Sequence, residues 1–232
     1  RSQGLEPRAV ALEDVYESFG HGEAHPEAVR DFLAYAYHHW KPPSLKYVVL
    51  LGDGTYDYKG YLKTGVLNPF PPLLVRTSYL WTASDPTLAA VNGEDGLPDL
   101  AVGRLPVDSE QEARALVRKL VDYETVAVSG KGDILFVVDN ADGGGDFESY
   151  AEEIVAALPP WRHSETLELS ALGVQGTRRA IVEGFDRGAA IVSYGGHGGA
   201  RLWAQENVFD VPALSELSPQ NEQPIVLTIN CL

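Results

Sequence analysis

The chain has little of several features that mark common protein classes. Among its 232 residues there is one cysteine and no methionine, and basic residues are fewer than acidic ones, 18 against 33. A single cysteine excludes an internal disulfide framework and leaves a thiol that is either inert in the core or used in chemistry. No apolar run reaches the roughly 18 residues that a membrane-spanning helix needs. The missing methionine predicts that Arg1 is not a translation start and that the chain is a piece of a longer protein.

The charge balance narrows the classes of partner. A formal net charge of -15 repels the phosphates of nucleic acids and anionic membrane surfaces, so it disfavours a nucleic-acid-binding role. Cationic partners, including basic peptides and calcium, are favoured instead. The hydrophobic content of 44% is enough for one sizeable core and excludes a disordered chain. We predict a single domain over residues 1–232, incomplete at its C-terminal end because no helix or strand follows the last apolar segment.

Strand-like segments alternate with helical ones along the chain. Short apolar runs predict strands at 46–51, 100–103, 133–139, 166–169, 189–195 and 225–230. Apolar residues at helical spacing predict helices at 25–40, 108–124, 147–157 and 175–183. This alternation predicts a three-layer α/β/α fold with a mostly parallel sheet, whose strands are covered on both faces. The irregular span 52–98 is predicted to be a functional surface loop region.

Two reactive side chains each follow an apolar strand. His197 lies in "AAIVSYGGHGG", and Cys231 ends "PIVLTINC". The carboxyl ends of parallel strands meet at one edge of a sheet, so neighbouring strands would bring the two side chains within reach. A thiol beside an imidazole is the arrangement of a cysteine nucleophile with its proton acceptor. The amides of Gly198 and Cys231 could then bind a developing oxyanion.

Each residue taken alone has a simpler interpretation. A lone cysteine is more often a small buried hydrophobic residue than a nucleophile. A histidine among glycines can be a turn residue, or part of a phosphate-binding loop. The matched positions of Cys231 and His197 at two strand ends favour the paired interpretation.

Four segments carry a family resemblance. They are "VVLLGDGTYDYKG", "GLPDLAVGRLP", "IVSYGGHGGARLWA" and "IVLTINCL", in this order from residue 48 to residue 232. The set resembles the gingipain-type cysteine peptidases, which are relatives of the caspases. Its strongest element is the Gly-His-Gly sequence with Trp203 six residues after the histidine.

The resemblance implies a caspase-like fold and a catalytic constellation. Cys231 would be the nucleophile, His197 its partner and Gly198 a donor to the oxyanion. The acidic partner of the histidine in this family precedes the Gly-Arg strand, a position held here by Asp99. The resemblance also implies a secreted or cell-surface protein, a protein or peptide substrate, and a cleft completed by the part of the same protein that follows Cys231.

Other residues are expected near the same edge. Asp53, in "GDGTYDYKG", and Trp203 are predicted to help bind substrate. The Asp53 segment lacks the spacer and the Gly-Lys-Ser/Thr ending of a P-loop. It is similar to the corresponding segment of the sortase peptidases of the type IX secretion system, which keeps transpeptidation open. Arg104 is predicted to make a structural ion pair.

An acidic, glycine-rich loop follows the strand predicted at 133–139. Its carboxylates, which could bind structural calcium, are those of Asp139, Asp142, Asp146 and Glu148. Gingipain-type enzymes carry structural calcium, so the resemblance supports this reading. The alternative is a solvated turn in which Asp146 caps the next helix.

The function predicted from the sequence is that of a cysteine endopeptidase that forms an acyl-enzyme, with no cofactor required for the chemistry. The alternatives are a sortase-like transpeptidase of a secretion system and a non-catalytic relative that binds peptides. An added amine that captures the acyl group would identify the transpeptidase. A binding module would keep its affinity after the substitution Cys231→Ala.

Overall fold

The structure is a computed structural model, and it describes residues 4–42, 44–63, 65, 70–78, 80–125, 132–218 and 223–230. The predicted nucleophile Cys231 lies outside these residues. The chain divides into two compact units, Arg1–Lys119 and Leu120–Leu232. The prediction of a single, incomplete domain over 1–232 stays a prediction, and the units are described separately below.

The first unit contains one parallel and one antiparallel strand pair, together with helices. Its elements are α1 (Leu12–Phe19), α2 (Pro26–His39), β1 (Tyr47–Leu51), β2 (Leu74–Arg76), β3 (Trp81–Ala83), α3 (Asp85–Leu88), β4 (Ala101–Leu105) and the start of α4 (Glu110–Thr125). Strands β1 and β4 are parallel and in register from Tyr47↔Ala101 to Leu51↔Leu105. The core beside them gathers Val29 and Leu33 of α2 with Leu50 of β1. Pro26 stands at the start of α2, where its missing amide hydrogen costs nothing.

Arg104 of β4 ties the loops of the first unit to its sheet. Its guanidinium forms a bidentate ion pair with Asp85, with nitrogen–oxygen distances of 2.7 and 2.6 Å. It also donates to the carbonyl oxygens of Gly52 and Phe70 at 3.0 and 2.9 Å, and it stacks on the Phe70 ring. The predicted structural ion pair of Arg104 is therefore confirmed. Because four acceptor atoms bind one planar cation, the Arg104 guanidinium fixes the irregular span 52–98 at the residues that it contacts.

The second unit is a four-stranded parallel sheet between helices. Its elements are the end of α4, β5 (Ile134–Val138), α5 (Phe147–Ala156), β6 (Ser164–Glu168), α6 (Leu169–Asp186), β7 (Ile191–Gly195), β8 (Gly198–Gly199), β9 (Leu202–Trp203), β10 (Phe209–Asp210), a 3₁₀ helix (Pro212–Glu216) and β11 (Ile225–Ile229). The sheet order is β11-β7-β5-β6, and every neighbouring pair is parallel. A small antiparallel sheet of β8, β9 and β10 lies beyond the carboxyl end of β7.

Alternate residues of β5 face two different cores. Leu135 and Val137 pack with Ile181 of α6 in one cluster, whereas Ile134 and Phe136 pack with Ala151 of α5 in another. All five residues of β5 are buried, which explains its continuous apolar sequence. Helices therefore cover both faces of the sheet, and the predicted α/β/α architecture with a mostly parallel sheet is confirmed.

Burial is less complete in other strands than the sequence predicted. Every residue of β11 is exposed, as are Tyr47, Val49 and Leu51 of β1. Strand β11 is one of the two edge strands of its sheet, and α5 and α6 pack on β5 and on β6, the other edge strand. The irregular span 52–98 also contains the antiparallel β2–β3 pair and the short helix α3. Among the described residues, no helix has the length and apolar character needed to cross a membrane.

Candidate active site

The two strands that precede the predicted reactive residues are neighbours. Strands β7 and β11 are parallel and in register, and the pairing ends at Gly195↔Ile229. The amide of Gly196 continues the pairing by donating to the carbonyl oxygen of Ile229 at 3.2 Å. His197 and Cys231 each follow this last register pair by two positions in the sequence. The two strands therefore end at the same edge of the sheet, and Cys231 itself is outside the described residues.

Gly198 and Asn230 bring the two strand ends into close approach. A β-carbon added at Gly198 would overlap the side chain of Asn230, the residue that precedes Cys231. Only glycine leaves room for this side chain. The contact thus joins the residue that follows His197 to the residue that precedes Cys231. Gly198 also opens β8, which pairs with β9 through Gly198↔Trp203.

The ring of His197 is bound to a carboxylate. Its Nε2 atom lies 3.1 Å from both Oδ1 and Oδ2 of Asp142. The side chains are 24% and 37% exposed, so the pair is partly shielded from solvent. A carboxylate on one ring nitrogen selects the tautomer and holds the ring in one orientation. With Nε2 engaged, a neutral ring carries its lone pair on Nδ1.

Asp142 belongs to a tight turn that packs on the histidine ring. The amide of Asp142 donates to Gly145 at 3.0 Å, and Oδ1 of Asp142 accepts a hydrogen bond from Gly144 at 2.7 Å. A β-carbon at Gly144 would lie 2.6 Å from Nε2 of His197, so the turn needs glycine there. Phe147, the first residue of α5, packs edge to face on the His197 ring, with 5.3 Å between ring centroids. The ring is therefore held between the turn and one aromatic side chain.

The charges around His197 favour its protonated form. The hydrogen bond to Asp142 is the largest influence and raises the pKa of His197, with further support from the negative charges of Asp142, Asp139 and Glu206. Partial burial of the ring opposes this shift. For Asp142, the bond from the Gly144 amide and then the bond with His197 lower the pKa of the carboxyl group. An imidazolium beside a thiol stabilises the thiolate, which is the reactive form of cysteine.

Asp99, the predicted acidic partner of His197, lies in the first unit just before β4. Its carboxylate accepts hydrogen bonds from the amides of Val91 and Asn92 at 2.9 and 2.8 Å. Its pairing with His197 stays a prediction, whereas the carboxylate bound to that histidine in the structure is the carboxylate of Asp142.

Asp53 and Trp203, the predicted substrate-binding residues, both make local contacts. The main chain of Asp53 bonds to Val107 and Phe70 at 3.0 Å each, and its carboxylate caps the Gly54 amide at 2.8 Å. The Trp203 ring stacks on Tyr194, with 4.7 Å between centroids and 1° between planes. These contacts give both residues a role in loop structure, and their contact with substrate stays a prediction.

Of the four carboxylates predicted to bind calcium, those of Asp139, Asp142 and Asp146 have separate partners, and Oε1 of Glu148 is buried with no hydrogen-bond partner among the described residues. Asp139 is 2% exposed and accepts bonds from the amides of Asn140 and His197, both at 2.9 Å. Asp142 holds the histidine ring, and Asp146 caps α5 by accepting from Ser149 at 3.1 Å. Among the described residues, no three His, Cys, Asp or Glu side chains gather in a way that could hold a metal ion. The carboxylates do not fit a shared calcium site in this arrangement, so calcium stays a prediction that their geometry does not support, whereas the alternative cap at Asp146 is confirmed.

The contact between Asp142 and His197 was missed in the sequence, although a signal was present. Asp142 follows β5, the strand next to β7, so both residues leave the same edge of the sheet. The three glycines at 143–145 indicated a turn tight enough to reach back over that edge. Tyr194 was also missed, because nothing in an apolar strand sequence reveals a hydrogen-bonding hydroxyl. Burial and the neighbouring Asp139 carboxylate raise the pKa of Tyr194, which keeps that hydroxyl protonated.

Solved gingipain structures share this fold. The crystal structure of the Arg specific cysteine proteinase gingipain R superposes with a TM-score of 0.71 at 20% identity, covering 95% of this chain and 47% of that chain. A complex of the RgpB pro- and mature domains of Porphyromonas gingivalis gives a TM-score of 0.73 at 19% identity, covering 99% of this chain and 50% of that chain. The gingipain-type, caspase-like fold implied by the sequence resemblance is therefore confirmed.

Sequence comparisons identify the same group of proteins. Gingipain R2 and gingipain R1 of Porphyromonas gingivalis are each 22% identical to the chain over 197 residues. The matches cover 81% of this chain but only 24% of gingipain R2 and 18% of gingipain R1, so the chain spans a minor part of these relatives. The family model described as peptidase family C25 matches residues 1–232. The chain therefore belongs to peptidase family C25, a family of cysteine peptidases.

Proposed function

We propose that the chain is the catalytic part of a cysteine endopeptidase, with Cys231 as nucleophile, His197 as general base and acid, and Asp142 as the group that orients the histidine. The observation that carries the proposal is the parallel, in-register pairing of β7 and β11, which ends two residues before both His197 and Cys231. The close approach of Gly198 to Asn230 supports the same pairing.

The chemistry uses groups of this chain alone. His197 accepts the thiol proton of Cys231, and the sulfur attacks the carbonyl carbon of the scissile peptide bond. The amides of Gly198 and Cys231 are the proposed donors to the oxyanion, where one donor contributes about 10²–10³-fold to rate. The tetrahedral intermediate collapses as His197 protonates the leaving amine, which leaves a thioester on Cys231. His197, neutral again, takes a proton from the water that attacks the thioester carbon; the carbon–sulfur bond then breaks, the peptide acid is released, and the imidazolium returns the proton to the Cys231 sulfur.

The orientation of His197 suits both proton transfers. A ring that donates from Nε2 to Asp142 keeps Nδ1 free to accept a thiol proton, and the carboxylate stabilises the imidazolium that forms. The raised pKa of His197 favours an ion pair between the imidazolium and the thiolate. Asp142 replaces Asp99 in this proposal, because Asp142 is the carboxylate seen on the ring.

Substrate and location are part of the same proposal. One relative is described as an Arg specific proteinase, and the acidic groups near His197 suit a basic side chain before the scissile bond. Secretion or display at the cell surface is proposed from the family resemblance. The remainder of the same protein is the proposed partner, and a prodomain is a second candidate because a relative forms a complex of its pro- and mature domains.

Turnover of a peptide panel tests the proposal. Fluorogenic peptides that end in arginine, lysine, alanine or aspartate before the reporter are incubated with the chain, with and without an added amine such as glycylglycine. We expect Cys231→Ala to abolish turnover and His197→Ala to lower kcat by about 10²–10⁴-fold. The exposed His163, in the same unit, is the matched control, and His163→Ala should retain full turnover.

The products separate the alternatives. Release of the free acid in the presence of the amine supports an endopeptidase. Capture of the acyl group by the amine as the main product would indicate the sortase-like transpeptidase. Peptide binding without turnover, unchanged in Cys231→Ala, would contradict the catalytic proposal and indicate a peptide-binding module.

A further inference from the structure

Both backbone polar groups of His197 are bound by side chains, one that follows β5 and one in β7, the strand that precedes the histidine. The amide of His197 donates to Oδ2 of Asp139 at 2.9 Å. The carbonyl oxygen of His197 accepts from the hydroxyl of Tyr194 and from the amide of Ala204, the latter at 2.8 Å. The Ala204 amide also lies 2.7 Å from the Tyr194 hydroxyl, so these three groups form one connected set.

Asp139 is an unusual residue to find at this position. It is a carboxylate that is only 2% exposed, and the ion pairs described in this unit leave it without a cationic side-chain partner of its own. Burying a charge is costly unless hydrogen bonds stabilise it. Its two oxygens accept from two backbone amides, Asn140 on Oδ1 and His197 on Oδ2. The carboxylate therefore links the end of β5 to the histidine loop.

Close packing makes this link rigid. A β-carbon at Gly196 would overlap Asp139 and lie 2.7 Å from the Tyr194 hydroxyl. The main chain of Asp139 also donates to the carbonyl oxygen of Gly195 at 3.0 Å, which extends the β5–β7 ladder by one bond. Tyr194 is fully buried and stacks on Trp203, so its hydroxyl has little freedom to move. Asp139, which follows β5, and Tyr194, in β7, therefore hold the backbone of His197 in place.

We propose that Asp139 is a positioning residue, which together with the Tyr194 hydroxyl holds the backbone of His197 so that the imidazole ring meets Asp142. The inference rests on the proposed function, in which the orientation of that ring matters for catalysis. Asp139 acts through His197 and touches neither the substrate nor the reacting atoms. Trp203 stacks on the Tyr194 ring and thereby helps to hold the loop.

Asparagine cannot replace Asp139, although it has nearly the same shape. Each carboxylate oxygen accepts from one amide hydrogen, whereas an asparagine side chain has one accepting oxygen and one donating NH₂ group. In either orientation the NH₂ group of Asp139→Asn would face a backbone N–H, of Asn140 or of His197. One of the two bonds is therefore lost, and a buried donor is left without an acceptor.

Two measurements on the full chain test the proposal. The first is the Nε2–H resonance of the His197 ring, observed by ¹⁵N–¹H NMR and assigned by its loss in His197→Ala. The second is the labelling of Cys231 by a peptidyl acyloxymethyl ketone, resolved into its binding constant KI and its rate constant kinact. In Asp139→Asn we expect the ring resonance to shift or exchange away and kinact to fall about 10²-fold, as for a small misplacement of a catalytic group, with KI unchanged within about twofold.

Matched variants separate positioning from general damage. Asp133→Asn removes one charge at the opposite end of the same strand and should behave as wild type. Tyr194→Phe keeps Asp139 but removes the hydroxyl that holds the His197 carbonyl, so a smaller loss of kinact is expected. Tyr150→Phe, at a tyrosine that is 59% exposed, is its control. If Asp139→Asn does not fold, Tyr194→Phe carries the test alone.

The two measurements distinguish failure of the positioning role from failure of the proposed function. If Asp139→Asn shows the wild-type ring resonance and the wild-type kinact, the positioning role is overturned and the peptidase proposal stands. The same result in Tyr194→Phe has this meaning when Asp139→Asn does not fold. If no chain is labelled, the peptidase proposal fails, and the ring resonance still decides whether Asp139 positions His197. A fall of kinact in Asp133→Asn equal to that in Asp139→Asn would also overturn the proposal.

Discussion

At the scale of single residues, the candidate site depends on close approaches that only glycine allows. Gly144 lies against the His197 ring, Gly196 against Asp139, and Gly198 against Asn230. Each of these glycines thus has a particular neighbour, and two of them, Gly196 and Gly198, flank His197 in the loop sequence "GGHGG". The positions of His197 and Cys231 could be predicted from the sequence, because strand ends in a parallel sheet share an edge. The contact with Asp142 could not, because it depends on the fold of a turn 55 residues away along the chain.

The Asp142–His197 pair predicts a particular pH dependence of stability. The pKa of His197 is raised above its usual 6.5. Its contribution to the free energy of unfolding is therefore fully present below pH 6.5 and is lost as pH rises through the raised pKa. The pKa of Asp142 is lowered below its usual 3.8, so its contribution is present above that value and is lost as pH falls through the lowered pKa. Asp142→Asn should therefore reduce the free energy of unfolding most in the mildly acidic range between these two limits.

Urea unfolding of wild type and Asp142→Asn at about pH 5.5 and about pH 9 measures this dependence. The difference in unfolding free energy should be larger at the lower pH. Asp133→Asn, which removes one charge far from the ring, serves as the control for general charge effects. If the difference in unfolding free energy between wild type and Asp142→Asn is the same at both pH values, or is larger at about pH 9, then Asp142 and protonated His197 do not form a stabilising ion pair.

At the scale of secondary structure, apolar pattern predicted the elements of the core better than those of the surface. Strand β5 and helix α5 were predicted within two residues at each end, because their apolar residues face the packed core. Helix α6 is longer than the predicted 175–183, because two helical segments are joined across Gly173, whose φ of 65° interrupts regular helix. The β2–β3 pair was missed, since strands of three residues leave too short a pattern to recognise.

The packing of α6 on the sheet gives a prediction for one element. Ile181 is fully buried between α6 and β5, so Ile181→Ala removes buried methyl groups and leaves a cavity, at a cost of about 2–5 kcal/mol in unfolding free energy. Leu172, 44% exposed on the same helix, is the matched control, and Leu172→Ala should cost well under half as much. Chemical denaturation, analysed with one m-value for both variants, measures the two losses of unfolding free energy. Equal losses in the two variants would contradict the assignment of this helix face to the core.

At the scale of the whole molecule, the sequence predicted a family, a fold and a single domain, and the first two are confirmed whereas the single domain stays a prediction. The ordered run of segments from residue 48 to residue 232 carried the gingipain resemblance, which the family match over residues 1–232 confirmed. Composition could not indicate the division into two units, because it falls inside the continuous helix α4. The net charge of -15 and the carboxylates of Asp142, Asp139 and Glu206 around His197 support the proposal of a basic peptide substrate.

The central claim is that His197 activates Cys231, and labelling of the thiol tests it most directly. The chain has only one cysteine, so intact-mass analysis after brief exposure to an arginyl acyloxymethyl ketone reports on that residue without ambiguity. The account predicts rapid addition of one label per chain, abolished in Cys231→Ala, strongly slowed in His197→Ala and unchanged in His163→Ala. A folded chain that takes up no label, or that reacts equally fast in His197→Ala, would contradict it.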